Sequence, residues 1–302
     1  MAMSAFHGLV AYPVTPFDDS GAVDHPALRR HLSTLAVSGV DSIAVLGSSG
    51  SFAYLDTAER AAVITTAVET VREVNPALPV HAGVSAVATS ELMHHVEAAV
   101  AAGVDGLLLS TVSYVPLNED EVATQCRLVA AASELPICLY SNPATTNFSF
   151  SLDLIAELAT EPTIVAIKET AADMETFIER HEALASRVHS GFSHGMSGDA
   201  LIAEAGFAAD AWHSGPASVL PAHFVALRAA LVGGDIAEAN RLREELTPLM
   251  REFNALRKLS NLHALARAAG IDSGEPRRPL LPLPGSSQRD LARLLGDLSE
   301  PL

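Results

Sequence analysis

The sequence predicts an α/β protein, a (β/α)8 TIM barrel with a helical C-terminal extension, on three observations. Eight short apolar runs are each followed by a segment of helical period, the pattern of parallel strands returned by crossover helices. The 302 residues are 49% hydrophobic but only 5% aromatic, enough aliphatic material for one large barrel core. After Pro221 the alternation stops and helix follows helix. The expected division is therefore a catalytic barrel over residues 1–221 and an extension over residues 222–302.

Residues 9–17 read as a first strand running into a proline-punctuated loop, and Asp18 to Gly21 as a turn. Asp24 is placed to cap a helix with Pro26 in its first turn, closing near Gly39. Strand two covers 42–46, Thr57 opens the next helix, and strand three covers 79–83. Thr89 or Ser90 caps a helix ending at Gly103, strand four covers 106–109, and Asn118 starts another helix. Strand five covers 137–140, Ser151 caps a short helix, strand six covers 164–168, and a helix follows over 171–186. The remaining units are a strand at 188–191, a helix at 196–205 and a short strand at 210–213. Beyond them, helices are expected over 222–231, 235–253, 255–269 and 288–298, with a proline-rich linker at 275–285.

Composition narrows the function. A formal charge of −17 disfavours nucleic acid and anionic membranes as partners. Of the two cysteines, Cys126 falls on a helix and Cys138 inside strand five, which speaks against a disulfide and suits a reducing compartment. Residues 1–10 lack a basic-then-apolar leader, and no run of eighteen apolar residues occurs, so the expectation is a soluble cytoplasmic protein.

The residue that stands out is Lys168, a single lysine closing the apolar run Ile164-Val165-Ala166-Ile167. Side chains alternate along a strand, so Ile164, Ala166 and Lys168 are expected on one face. If that face is the barrel interior, burial lowers the amine's pKa and frees it to attack a carbonyl and form a Schiff base. The competing reading is a strand-end lysine with its head in water. One unit earlier, Tyr140 closes Ile137-Cys138-Leu139 in the same way, which sets a proton-transferring phenol beside the amine.

Gly47-Ser48-Ser49-Gly50 follows strand two, where its hydroxyls and turn N–H groups can hold a carboxylate, or where it is simply a flexible turn. Tyr114, in the loop after strand four, is either a second phenol for a proton relay or a packing residue. Among twelve histidines, His81, His189, His194 and His213 could line the barrel mouth around a metal, but no HxH or HExxH pairing exists, and no metal is expected. There is no GxSxG elbow and no phosphate-binding GxxxxGK[ST].

With these residues placed, the chain resembles the dihydrodipicolinate synthase and N-acetylneuraminate lyase family of class I aldolases. The matching pieces are Val14-Thr15-Pro16-Phe17, Gly47-Ser48-Ser49-Gly50, Tyr114, Tyr140-Ser141-Asn142-Pro143 and Ile167-Lys168-Glu169. The resemblance implies a cofactor-independent lyase, usually a homotetramer built as a dimer of dimers, acting on pyruvate or another 2-oxo acid and an aldehyde or its aldol adduct. It implies that Lys168 forms the imine, Tyr140 and Ser48 serve proton transfer, Ser48, Ser49 and Gly47 bind the carboxylate, and Tyr114 relays protons across a tight dimer interface. Gly191 and His213 would line the site through their backbones.

Two departures bear on substrate. Where the synthases usually carry an arginine for the second substrate's carboxylate, this chain has Thr145, and the glutamate usual after the serine loop is Ser51. A neutral hydroxyl gives no bidentate, charge-assisted clamp. The expectation is thus a sugar-acid or hydroxy-oxo-acid aldolase or dehydratase, with 4-hydroxy-tetrahydrodipicolinate synthase as the alternative. Two readings of other classes are a catalytically silent 2-oxo-acid-binding barrel and a metal-dependent barrel hydrolase.

Overall fold

A computed structural model describes residues 5–170, 172–199 and 209–299. Strands β1 (Gly8–Ala11), β2 (Ser42–Val45), β3 (Val80–Gly83), β4 (Gly106–Ser110), β5 (Ile137–Ser141), β6 (Ile164–Thr170), β7 (Ser193–Ser197) and β8 (Ala211–Ser214) close into a barrel in sequence order. Every pairing is parallel, and β8 returns to β1 with Gly8 opposite Ala211. Around it stand α1 (His25–Ala36), α2 (Thr57–Val74), α3 (Thr89–Ala102), α4 (Glu119–Ala132), the short α5 (Pro143–Thr146), α6 (Leu152–Leu158) and α7 (Met174–Ala185).

The helix starts follow local chemistry. Asp24 accepts from the Ala27 N–H to cap α1, and Asp56 with Glu59 and Asn118 with Glu121 form reciprocal capping boxes on α2 and α4. Ser151 caps α6 as predicted. By contrast Ala88, which has no side-chain cap, precedes α3, so Thr89 is already helical.

Three expectations need correction. The seventh strand is Ser193–Ser197, not 188–191; the run Val188-His189-Ser190-Gly191 is a turn in which the Phe192 N–H bonds the His189 carbonyl. Its Val188 and its terminal glycine imitated a strand end, whereas the real strand, Ser-His-Gly-Met-Ser, is nearly devoid of aliphatics. Met196 and Ser197 accordingly lie in β7, and most of the helix expected at 196–205 falls outside the described residues. Finally, Ile164 does not share the face of Lys168. The β5–β6 register slips between Ile137 opposite Ile164 and Cys138 opposite Ala166, so Val165 is the extra residue of a bulge. Ile164 and Ile167 join the outer core between sheet and helices, while Ala166 joins the interior cluster with Val10, Ala44, Leu108 and Cys138.

After β8 come α8 (Pro221–Gly233), α9 (Ile236–Ala255), α10 (Ser260–Ala268) and α11 (Gly285–Gly296). Helix α8 packs on β1, with the ring of Phe224 tilted against that of Trp212 of β8, their centres 5.0 Å apart. Helix α9 buries Leu242, Leu246, Leu249 and Phe253, a stripe at three- and four-residue spacing that joins the outer core. Arg277 straps the tail to the barrel, bonding the Gly21 and Tyr54 carbonyls and Glu59 across the face of Phe17. The consequence is that the α9–α10 turn lies over the carboxyl ends of the strands. Among the described residues no helix is long and apolar enough to cross a membrane.

Candidate active site

The register of β5 and β6 sets Tyr140 directly opposite Lys168, as the repeated strand ends suggested. Both side chains point inward and are 5% exposed. The Lys168 amine lies 3.7 Å from the ring centre of Tyr12 and 4.3 Å from that of Tyr140, between two aromatic faces. Burial lowers its pKa, against the opposing pull of Tyr140, Cys138 and Asp199. The strand-end lysine in water is therefore excluded.

Tyr140 behaves oppositely to an ordinary buried phenol. Burial pushes it up, but the Lys168 charge and hydrogen bonds from Asn142 and Ser48 outweigh burial and hold it below the usual tyrosine range. Asn142 Nδ2 donates to the phenol oxygen at 2.8 Å. The pair thus shares its protons readily: the amine is easier to deprotonate and so is the phenol. Cys138, the next inward side chain on β5, has its thiol pushed up to about 12 by burial and offers no competing nucleophile.

Beneath the amine, Tyr12 Oη meets His213 Nδ1 at 2.8 Å. Burial, then the Lys168 charge, drives the His213 pKa well down, so its ring is neutral. Two glycines make room for this floor: a Cβ on Gly47 would stand 2.6 Å from the Tyr12 ring, and one on Gly195 2.3 Å from His213 Nε2. The same fit places the loop after β2. Ser48–Gly50 forms a 3-10 turn, tied down by Thr15 Oγ1 donating to the Gly50 carbonyl at 2.7 Å. Ser49 packs against Gly215, where a Cβ would come within 2.9 Å of its Oγ.

The cavity has two lobes that share Ser48, Tyr140, Lys258 and Leu259. The inner, of about 400 Å³, holds Lys168, Ser49, His213, Gly198 and Asp199. The outer, of about 330 Å³, is walled by Thr145, Thr146, Tyr54 and Arg257. Thus Lys168, Tyr140, Ser48, Ser49, Thr145 and His213 meet at one cavity, and Gly47 supports its loop.

Gly191 is a correction: it lies in the turn ahead of β7, at the wrong end of that strand, and Gly198 lines the cavity instead. Tyr114 is 91% exposed in this chain and lines neither lobe. The histidines proposed for a metal are dispersed. His81 stacks on Phe6 inside the barrel, His189 sits in the turn, His194 bonds Glu169 at 2.7 Å and His213 bonds Tyr12. No three His, Cys, Asp or Glu side chains gather as a metal site among the described residues.

Sequence reasoning missed Tyr12, Asp199 and Lys258. Asp199 donates nothing and accepts from Trp212 Nε1 at 3.0 Å and from Ser214; burial raises its carboxyl to about 6 despite those bonds and the Lys168 charge. Its signal was Ser197-Gly198-Asp199 following a strand, hidden by the misplaced β7. Behind Lys168, Glu169 points outward to His194 and to Arg180 at 2.8 Å, and Arg180 also bonds the Phe150 carbonyl. Strand β6 is thereby locked to α7 and to the loop after α5.

A parallel barrel that presents a desolvated amine beside an acidified phenol at its strands' carboxyl ends is a lyase of the Schiff-base, class I aldolase type. The chain belongs to the dihydrodipicolinate synthetase family, whose model matches residues 5–298. It is similar to the 4-hydroxy-tetrahydrodipicolinate synthase of Natronomonas pharaonis, 31% identical across 99% of this chain and 99% of the relative. Among solved structures it resembles a dihydrodipicolinate synthase from Agrobacterium tumefaciens str. C58, 34% identical, covering 97% of this chain and 98% of that one, with a TM-score of 0.92. It also resembles the chloride-inhibited dihydrodipicolinate synthase from Acinetobacter baumannii in complex with pyruvate, 26% identical, covering 97% and 99%, with a TM-score of 0.87.

Proposed function

We propose that the protein cleaves or forms an aldol bond in a hydroxylated 2-oxo acid or sugar acid through an imine on Lys168. The observation that carries this is the enclosed pair, a lowered amine directly opposite a lowered phenol. The neutral amine attacks the 2-oxo carbon, a C–N bond forms, and the carbonyl oxygen leaves as water. In the cleavage direction Tyr140 takes the proton of the substrate's C4 hydroxyl. The C3–C4 bond then breaks, its electrons pass to the iminium nitrogen, and an aldehyde departs. Protonation of the enamine carbon and hydrolysis return pyruvate and the free lysine. Ser48 bonds the phenol and, with Ser49, receives the carboxylate on the loop that Gly47 allows. His213 lines this lobe, and Tyr12 with His213 forms its dry floor. Asp199, whose carboxyl burial raises to about 6, is a second proton acceptor there.

Thr145 in the outer lobe favours a hydroxylated substrate over the synthase reaction. The alternative, 4-hydroxy-tetrahydrodipicolinate synthase, is favoured by the names of the relatives at 31% and 30% identity. In the same reading the enzyme needs no cofactor, works in the cytoplasm, and is a homotetramer in which the exposed Tyr114, beside the exposed Val115, enters a neighbour's site. Residues 222–302 form its extension. The test offers 3-deoxy-2-oxo sugar acids and follows pyruvate release with lactate dehydrogenase, beside pyruvate with aspartate semialdehyde. Turnover of the sugar acids alone supports the first reading. Turnover of the semialdehyde alone replaces it with the synthase.

A further inference from the structure

The outer lobe is a basic pocket in an acidic protein. Arg257 and Lys258 both line it from the turn between α9 and α10, and Lys258 reaches the inner lobe as well. The chain carries 36 acidic residues against 19 Lys and Arg. Several other tail arginines are paired with acids, Arg241 with Glu238 and Glu245, Arg267 with Glu275, Arg277 with Glu59. Among the described residues neither Arg257 nor Lys258 has an acidic partner, and no acid lines the outer lobe.

Two cations left unpaired beside a cavity have charge to spend on a ligand. The opposite wall has none to offer. The hydroxyls of Thr145 and Thr146 both donate to the Asn142 carbonyl, at 3.2 and 3.0 Å, so toward the cavity they present acceptor lone pairs. The turn is also held rather than loose: Leu259 sits at φ 70° and ψ −48°, a conformation side chains rarely adopt, and Ser260 is buried with its hydroxyl on the Leu281 carbonyl at 2.8 Å. The Lys258 charge is close enough to act on both Tyr140 and Lys168.

We propose that Lys258, seconded by Arg257, binds an anionic group on the far end of the second substrate, so that the aldehyde partner carries its own carboxylate or phosphate. This rests on the Schiff-base reading above and adds the charge of the partner to it. Recognition comes from the tail, through charge-assisted hydrogen bonds, and not from the loop after β5.

The test first reduces the protein with borohydride in the presence of pyruvate, which fills the inner lobe with a pyruvyl group on Lys168. Wild type and the Arg257→Met/Lys258→Met double variant, both modified to completion by intact mass, are then titrated by calorimetry. The probes are succinate, inorganic phosphate and neutral succinamide. The expected result is that at least one anion binds the wild type, at least about tenfold more weakly the double variant, with Lys258→Arg close to wild type, and that succinamide does not bind. Succinate or phosphate as the tighter probe identifies the group. Anion binding that is absent, or equal in the double variant, overturns the proposal while leaving the Schiff-base reading intact. Failure to form any adduct overturns both.

Discussion

The floor and the rim of the cavity are built on opposite terms. At the floor Lys168, Tyr140, Tyr12 and His213 are all buried, touch one another, and have their protonation set by that contact. At the rim Arg257, Lys258 and Thr145 are exposed, on helices and turns that come from outside the strands. A group at the floor is fixed by the barrel and carries chemistry common to any substrate; a group at the rim can change without disturbing the core and selects which substrate enters. This division explains how the buried Lys168–Tyr140 pair can stand beside a neutral Thr145, where the family resemblance implies an arginine.

The sharpest way to break the contrast is at the floor. Lys168→Met should abolish turnover, by at least about 10⁴-fold, because no other buried amine reaches the cavity; progress curves with the wild-type substrate measure it. Tyr140→Phe should lower kcat by about 10²–10⁴-fold, the range of one proton-transferring group, while pyruvate is still trapped on Lys168.

A pH series sharpens the comparison further. Because burial lowers the Lys168 pKa, the rate of borohydride-trapped adduct formation should rise with pH and level off below 10.5. A midpoint at or above 10.5 would contradict a desolvated amine.

Stability should respond to pH as well. Burial holds His31, His81 and His263 at about 4, below their unfolded value of 6.5. The unfolded chain therefore binds more protons between those values, so stability is complete above pH 6.5 and falls as pH drops toward 4. The limit is on the order of 3 kcal/mol for each ring, read as a falling Tm from pH 7 to 4.5.

The smallest effect is expected at Tyr114, which the proposed tetramer would carry to a neighbour's site. Tyr114→Phe should cost about tenfold in kcat or less and leave Tm unchanged, since the side chain is 91% exposed here. A loss of Tm with no kinetic change would reduce Tyr114 to an interface contact.

The floor was legible because its signals are local and repeated. An apolar run ending in one polar residue recurs at Tyr140 and Lys168, and parallel strands two units long in phase must bring such ends together. The same logic applies to Tyr12 at the end of β1, where Pro13 and Pro16 add a loop signal that masks the strand end. The bulge at Val165 was invisible because it depends on pairing between strands, not on either strand's own pattern. Strand β7 was misplaced because Ser193, Gly195 and Ser197 carry no aliphatic signal; its inner face is small to admit His213, a reason that exists only once the barrel is closed. With a strand expected at 188–191, Gly191 stands in the place that Gly198 holds in the structure, and Asp199 falls inside the helix expected at 196–205. Lys258 could not be found at all from spacing, because the long tail places it over the strand ends only through packing of α8 to α10.

The central claim is that a desolvated Lys168 forms the imine. Intact mass after borohydride reduction with pyruvate, on wild type and on Lys168→Ala, tests it most directly. The account predicts one pyruvyl addition per wild-type chain and none on the variant, with peptide mapping placing it on Lys168. No addition to the wild type with any of several 2-oxo acids, or an equal addition to the variant, would contradict it.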